Sequence, residues 1–206
     1  MEDNYILFFD QIDKNALSLV GGKGANLGEM TKAGFPVLSG FCITTEAYKE
    51  FLKSNNLTTS INETIKEANP DNINQTGKKI RNKIKEAKVP EIIIKTIKKA
   101  LEKIDIDNYF AVRSSATAED LSFASFAGQQ ETYLNIKGEQ SILESVKECW
   151  ASLYTDRAIL YRIKNKIEQQ KVFMSVIVQE MVHPDISGVM FTADPVSGHR
   201  GIISIL

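Results

Sequence analysis

The segment KVFMSVIVQEMV, residues 171–182, is the feature that most limits what this chain can fold into. It is strongly apolar and rich in β-branched residues, which is typical of a buried strand. Further extended segments are predicted at residues 5–9, 109–115 and 131–136, with helical segments between them. Because their order is irregular, the chain is predicted to be an α+β protein with mixed sheets and flanking helices.

Residues 60–104 are predicted to form a helical insertion. Ser60 and Glu63 have the spacing of a capping box, and Pro90 is expected to begin a further helix. Residues 66–103 contain eleven Lys and Arg against five Asp and Glu. This excess allows a nucleic-acid patch, but solvated helix faces are commonly lysine-rich and no aromatic residues interleave the charges. We therefore expect no nucleic-acid partner.

A single long helix is predicted over residues 141–168, with Trp150 in its apolar stripe.

The 206 residues have a formal net charge of −1, which gives no general attraction to nucleic acid or membrane. Cys42 and Cys149 have no metal-ligand or redox spacing, so both are predicted to be buried free thiols. No apolar run approaches the ~20 residues of a membrane helix, and the N-terminus has no signal-peptide pattern. We expect a cytoplasmic protein with no membrane contact.

The glycine cluster VGGKGANLGEM leads into a helix predicted over residues 25–33. Free amides at a helix N-terminus, together with the Lys23 ammonium, could form an anion site. The cluster is not a Walker loop, because Leu17 stands where that motif needs a glycine. It is not the dinucleotide fingerprint either, because Leu27 occupies the third glycine position. On the residues alone, a glycine-rich turn with an exposed lysine is an alternative.

The segment FAVRSSATAE brings Arg113 to the end of a predicted strand. If Val112 faces the core, alternation places Arg113 on the opposite face, and its guanidinium is suited to bind phosphate. A structural ion pair explains the arginine equally well. The small residues 114–118 suggest a place where backbone and hydroxyl groups approach the anion and leave room for it.

Two further segments could contact a nucleotide. In FAGQQETY, Gly128 allows a tight loop whose amides cover phosphate oxygens, and Thr132 could add a hydroxyl; a simple hairpin is the alternative. In IVQEM, a buried strand ends in Gln179 and Glu180, which are unusual there because burying them without partners costs free energy. Backbone groups at this point could bind an adenine edge, with Met181 or Val182 packing on the ring. An exposed strand end is the alternative.

Together these segments resemble a known family. GGKGANLGEM, GFPVLSGFCITTEAY, AVRSSATAEDLSFASFAGQQETYLNI, CWASLYTDRAILYR and VQEMVHPDISGVMFTADPVSG are similar to the ATP-binding domain of the dikinases. That family includes phosphoenolpyruvate synthase (pyruvate, water dikinase), pyruvate phosphate dikinase and rifampin phosphotransferase. The similarity covers most of the chain except about residues 55–108. It implies an ATP-grasp-like fold, here incomplete, in which ATP lies between two α+β lobes.

The resemblance also implies roles for particular residues. Those expected to contact ATP are Lys23 and Arg113 at the phosphates, Gly128 and Thr132 in the phosphate-covering loop, and Gln179, Glu180 and Val182 near the adenine. Magnesium is the expected cofactor beside ATP, with its acidic ligands beyond residue 206. No metal ligand and no catalytic residue is assigned within residues 1–206.

In the dikinase family, ATP is cleaved to AMP and phosphate passes to a histidine on a separate domain. The phosphohistidine then serves an acceptor, which is pyruvate in the synthase or an antibiotic in rifampin phosphotransferase. The Thr-Ser-His-Ala signature of the histidine domain is not in this sequence. We therefore expect residues 1–206 to be the N-terminal part of the ATP-binding domain, without the phosphohistidine and acceptor domains and inactive alone. The synthase type is our first interpretation, rifampin phosphotransferase the second, and a non-catalytic nucleotide-binding module the third.

Overall fold

A computed structural model describes residues 4–117 and 131–206, and its centre is a five-stranded sheet. The strands lie in the order β1-β2-β5-β3-β4. Their bounds are Ile6–Phe8 for β1, Gly40–Ile43 for β2, Phe110–Ala116 for β3, Thr132–Ile136 for β4 and Met174–Glu180 for β5. The apolar segment singled out in the sequence is thus the central strand, and its position between two neighbours explains its composition.

All strand pairings in the described part of the chain are antiparallel, whereas we predicted mixed sheets. The connection between β1 and β2 shows how one of these antiparallel pairings arises. After β1 the chain runs back beside helix α1 (Leu17–Lys32), where Ile12 approaches Gly28 and the Lys14 amide donates to Glu29. Helix α1 then returns the chain to the end at which β1 finished, so β2 must run in the opposite direction.

Helices cover both faces of the sheet. Helix α1 packs on one face, over a small apolar cluster that includes Cys42 and Ile177. The larger core lies on the opposite face and is centred on Trp150, whose ring lies 4.6 Å from that of Phe51. The remaining α-helices of the described residues are α2 (Thr45–Ser54), α3 (Leu57–Lys66), α4 (Ile73–Glu86), α5 (Glu91–Lys103), α6 (Glu139–Ser152) and α7 (Asp156–Lys164).

The predicted insertion at 60–104 is observed as helices α3 to α5, but its start is different. Helix α3 begins at Leu57, so Ser60 lies inside it and the capping box with Glu63 does not form. The Ser60 carbonyl accepts a hydrogen bond from Thr64, and its hydroxyl accepts one from Lys83. The apolar faces of all three helices are buried in the larger core, so they are an integral part of the fold.

The single helix predicted over residues 141–168 is wrong, because the chain forms α6 and α7 with a break between them. Thr155 is the reason: its backbone is extended and its hydroxyl accepts the Ala158 amide at 3.3 Å. A side-chain acceptor at this position begins a new helix and is incompatible with continuing the old one. Trp150, by contrast, is fully buried as predicted.

A separate hairpin follows the main sheet, formed by β6 (Met190–Phe191) and β7 (Ser204–Ile205).

Cys42 and Cys149 are buried and free, as predicted, and burial raises the pKa of each thiol. Within residues 4–117 and 131–206, no helix has both the length and the apolar character required to cross a membrane.

Candidate nucleotide-binding site

One face of the sheet brings together several of the predicted site residues. Val112 is buried in the larger core, so alternation directs the neighbouring Arg113 to the α1 face, as predicted. Arg113 lies opposite Thr132 on β4 and opposite Ile177 on β5. Gln179 is two residues further along β5, a diagonal position that typically lies roughly 7–8 Å away. Arg113, Thr132 and Gln179 therefore share a face.

Helix α1 brings Lys23 to the same place. The helix is interrupted at Gly21, whose φ of 68° and ψ of 176° are not helical, and it resumes at Gly22. The predicted helix N-terminus beside Lys23 is therefore present, although the helix resumes at Gly22 and not at residue 25, and a further helical stretch from Leu17 precedes the break. The half-buried Lys23 places its Nζ 3.4 Å from the carbonyl oxygen of Ser114, the residue after Arg113.

The guanidinium of Arg113 contains a buried donor that lacks a partner. Its Nε has no hydrogen bond to any residue of the described ranges. Within the same ranges, no carboxylate forms an ion pair with Arg113, so the structural ion pair we considered receives no support there. Buried N–H groups are nearly always satisfied in native proteins, and an oxyanion is the acceptor that a guanidinium best accommodates.

The serines after Arg113 do not have the role that their size suggests. We expected small residues that leave room for an anion, but Ser114 and Ser115 are both fully buried and their hydroxyls contact neighbouring backbone. The Ser114 hydroxyl accepts the Glu131 amide at 2.9 Å, and the Ser115 hydroxyl accepts the Gly24 amide at 3.4 Å. These serines join β3 to β4 and to α1.

The segment at the end of β5 is divided between the two faces. Gln179 donates from Nε2 to the Leu38 carbonyl at 3.3 Å. Glu180 lies on the face opposite Arg113, and its carboxylate accepts a hydrogen bond from Asn108 at 3.1 Å. The structure thus separates Glu180 from the residues on the α1 face.

The backbone near Glu180 is also already engaged. The Glu180 amide donates to the Ser39 carbonyl and the Met181 amide donates to the Tyr109 carbonyl, each at 2.9 Å. These two N–H groups are therefore occupied, so an adenine edge would have to be met by other groups of this segment. Val182, which follows the strand, has 53% of its surface exposed. Gly128 lies outside the described residues.

Cavities of the described part of the chain lie elsewhere, including one of about 370 Å³ between β1 and α5. One of about 470 Å³ is lined by residues 8–11 at the end of β1, by residues 37–40 at the start of β2 and by Lys103. Another of about 270 Å³ is lined by residues that include Tyr48 and Phe173. None of these linings includes Lys23 or Arg113.

No group of three or more His, Cys, Asp or Glu side chains suited to holding a metal occurs in residues 4–117 and 131–206. His183 stacks edge-on against Tyr109 at 5.4 Å, and His199 lies in an exposed turn. Sequence reasoning predicted Lys23 and Arg113 but missed the contact between Gly21 and Ser115, which joins the segments that carry them. The only signal was the run of small residues in both segments.

Lys23 lies at a helix N-terminus, with its Nζ near the Ser114 carbonyl, and the neighbouring Arg113 has a buried Nε with no partner among the described residues. Both features are typical of a phosphate-binding α+β domain. Comparison with known sequences gives the particular family. Residues 17–206 match the family described as pyruvate phosphate dikinase, AMP/ATP-binding domain, and the chain belongs to that family. That family is described by its binding of adenine nucleotides.

Curated relatives of two kinds cover nearly the whole chain. It is 45% identical over 204 residues to the rifampicin phosphotransferase of Bacillus subtilis (strain 168), covering 97% of this chain and 24% of that protein. It is 45% identical over 214 residues to the phosphoenolpyruvate synthase of Aeropyrum pernix, covering all of this chain and 26% of that protein. The synthase of Pyrococcus furiosus is 41% identical over 246 residues, with 30% of that protein covered. The chain thus spans less than a third of the length of these relatives, which are named as rifampicin phosphotransferase or phosphoenolpyruvate synthase.

Proposed function

We propose that this chain is the ATP-binding portion of a phosphoenolpyruvate synthase-type phosphotransferase. The observation that carries the proposal is the buried Nε of Arg113, which has no partner among the described residues, in a chain that belongs to an AMP/ATP-binding family. Lys23 is nearby, with its Nζ 3.4 Å from the carbonyl oxygen of the next residue, Ser114. A phosphate oxygen would satisfy this donor, and two adjacent cations would oppose the charge of the polyphosphate.

We assign the remaining contacts on the same basis. Thr132 lies beside Arg113 on the α1 face and would contact the phosphates together with Gly128. Gln179 would mark the adenine side, with the exposed Val182 packing against the ring. Glu180 belongs to this segment by sequence, but its carboxylate is turned to Asn108, so its contribution would come through its backbone.

The chemistry of these residues is electrostatic. Phosphoryl transfer requires mainly positioning and stabilisation of phosphate charge, which fixed cations on a rigid sheet provide. Mg²⁺ would supply further charge neutralisation, with ligands that we expect beyond residue 206. The resemblance to the dikinase ATP-binding domain is the reason for proposing an ATP-grasp arrangement, in which a second lobe would cover the nucleotide and residues 1–206 would form the N-terminal part.

The complete reaction would require other domains. We propose that ATP is cleaved to AMP, that phosphate passes to a histidine on another domain, and that pyruvate is the final acceptor in the cytoplasm. Rifamycin is the alternative acceptor, favoured by the 45% identity to a rifampicin phosphotransferase. Supplying the complete gene product with ATP and each acceptor in turn, and measuring AMP release, distinguishes the two. If no AMP is released with either acceptor, a non-catalytic or different role for the site would be favoured.

The test of the ATP site is calorimetric titration of the complete gene product with ATP and magnesium. Arg113→Ala removes a charged hydrogen-bond donor, which is typically worth about 1.5–3 kcal/mol, so we expect a roughly 10- to 100-fold loss of affinity. Arg113→Lys keeps the charge but loses the planar fork, so its affinity should be intermediate.

Arg157→Ala is the matched control, because Arg157 is an exposed arginine on α7, outside the proposed site. It should leave ATP affinity unchanged. A folded Arg113→Ala variant that binds ATP as tightly as the wild type would show that Arg113 does not contact phosphate. Failure of the wild-type protein to bind ATP would refute the proposed function as a whole.

A further inference from the structure

The contact between α1 and β3 is unusually close at one point. A Cβ atom on Gly21 would lie 2.4 Å from the Ser115 Oγ and 2.6 Å from the Ser115 carbonyl oxygen. Such a separation is possible only for a glycine, whose backbone can approach another chain segment directly. The break in α1 therefore lies directly against Ser115.

A hydrogen bond from the restarted helix ends at the same serine. The Gly24 amide donates to the Ser115 hydroxyl at 3.4 Å, at the long end of the hydrogen-bond range. Gly24 is in the first turn after the break, where helix amides have no acceptor within the helix. Ser115, which lies on β3, therefore supplies the oxygen that an N-cap side chain of the helix itself normally provides.

Lys23 lies between the two residues that contact Ser115. Gly21 and Gly24 bracket it in sequence, and its own Nζ reaches the carbonyl oxygen of Ser114. Arg113, Ser114 and Ser115 are consecutive residues of one strand with neighbours on both sides, so their relative positions are rigid. The contacts of Ser115 with Gly21 and Gly24 therefore set the distance between the Lys23 and Arg113 cations.

We propose that Ser115 is a positioning residue that fixes the start of the restarted α1 helix on β3 and so holds Lys23 at the distance from Arg113 that a nucleotide polyphosphate requires. This inference rests on the proposed ATP site. Ser115 itself touches no ligand; it acts through Gly24 and the helix turn that carries Lys23. Its effect should therefore appear in phosphate binding and leave adenine binding unchanged.

The experiment compares Ser115→Ala with Ser175→Ala in the complete gene product. Ser175 is the direct cross-strand partner of Ser115, is also fully buried, and donates its hydroxyl to the Ile43 carbonyl. The described residues show no hydrogen bond between the Ser175 hydroxyl and α1. For each variant, the dissociation constants of ATP with magnesium and of adenosine are measured by calorimetry. Both substitutions remove one buried hydroxyl, so a purely structural role predicts similar effects for the two.

We expect Ser115→Ala to weaken ATP binding by about 3- to 10-fold, the loss typical of one neutral hydrogen bond, with adenosine binding unchanged. Ser175→Ala should leave the ratio of the two constants at its wild-type value. Ser115→Cys, which keeps the side-chain size with a weaker acceptor, should be intermediate. In a Lys23→Ala background, Ser115→Ala should have no further effect on ATP, because its influence passes through Lys23.

Equal loss of ATP and adenosine affinity in Ser115→Ala would overturn the positioning role, as would an effect on ATP that persists without Lys23. If the wild type binds ATP and Arg113→Ala weakens it while Ser115→Ala does not, only the positioning role fails. If the wild type binds neither ligand, the proposed function fails first and the positioning role with it.

Discussion

Replacing Gly21 by alanine tests the closest approach between α1 and β3. Its φ of 68° with ψ of 176° is a conformation that only glycine adopts readily, and strain of this kind costs about 1–3 kcal/mol. The added Cβ would also overlap the Ser115 carbonyl and hydroxyl, and displacing packed backbone costs roughly another 1–3 kcal/mol. Alanine restricts the unfolded chain, which offsets about 0.4–1 kcal/mol.

Together these terms predict that Gly21→Ala lowers the free energy of unfolding by about 3 kcal/mol, a large part of the 5–15 kcal/mol typical of a domain. The chain contains a matched control. Gly34, after the end of α1, also has positive φ, at 80°, but a Cβ there would meet no atom within 4 Å. Gly34→Ala therefore has the backbone strain alone, and we expect it to cost about 1–2 kcal/mol.

Urea unfolding followed by circular dichroism gives both values. The reasoning depends on the difference between the two variants. Equal destabilisation would mean that Gly21 is needed only for its φ, and that α1 does not press against Ser115 as closely as described. A Gly21→Ala variant as stable as the wild type would refute the break in α1 itself.

Two other predictions concern stability. Thr155→Ala should lower the free energy of unfolding by about 1 kcal/mol, because the cap of α7 is lost, while Thr155→Ser should restore most of it; no loss in the alanine variant would mean that the break before α7 does not depend on this hydroxyl. Burial raises the pKa of the Cys42 and Cys149 thiols, so the folded protein keeps protons that the unfolded chain releases above about pH 8.5. Stability should therefore be fully present below pH 8.5 and fall as pH rises, by up to about 1.4 kcal/mol per unit and thiol. Urea titrations at pH 8, 9 and 10 measure this slope, and a Cys42→Ala, Cys149→Ala double variant with the same slope would contradict it.

The face on which Arg113 lies could be predicted from the sequence alone. Strand side chains alternate, so an arginine next to a core valine must point to the other face wherever the strand lies in the sheet. The burial of β5 and of the helix stripes could be predicted for the same reason, since apolar periodicity depends only on neighbours in sequence. The similarity to the dikinase ATP-binding domain was also contained in the sequence, as the family match over residues 17–206 shows.

Other features were decided by contacts between distant segments. The capping box at Ser60 was a valid local pattern, but α3 begins at Leu57, where the side chain is buried in the larger core. The residues next to Ser115 in the sequence do not show whether its hydroxyl faces a ligand or another part of the protein. Its acceptor role toward Gly24, a residue 91 positions away, exists only because α1 folds onto β3. The alternation of strand side chains and the periodicity of apolar residues depend on neighbours in the sequence, so both can be predicted from it. The contact between Gly21 and Ser115 depends on how the helix and the sheet pack in three dimensions.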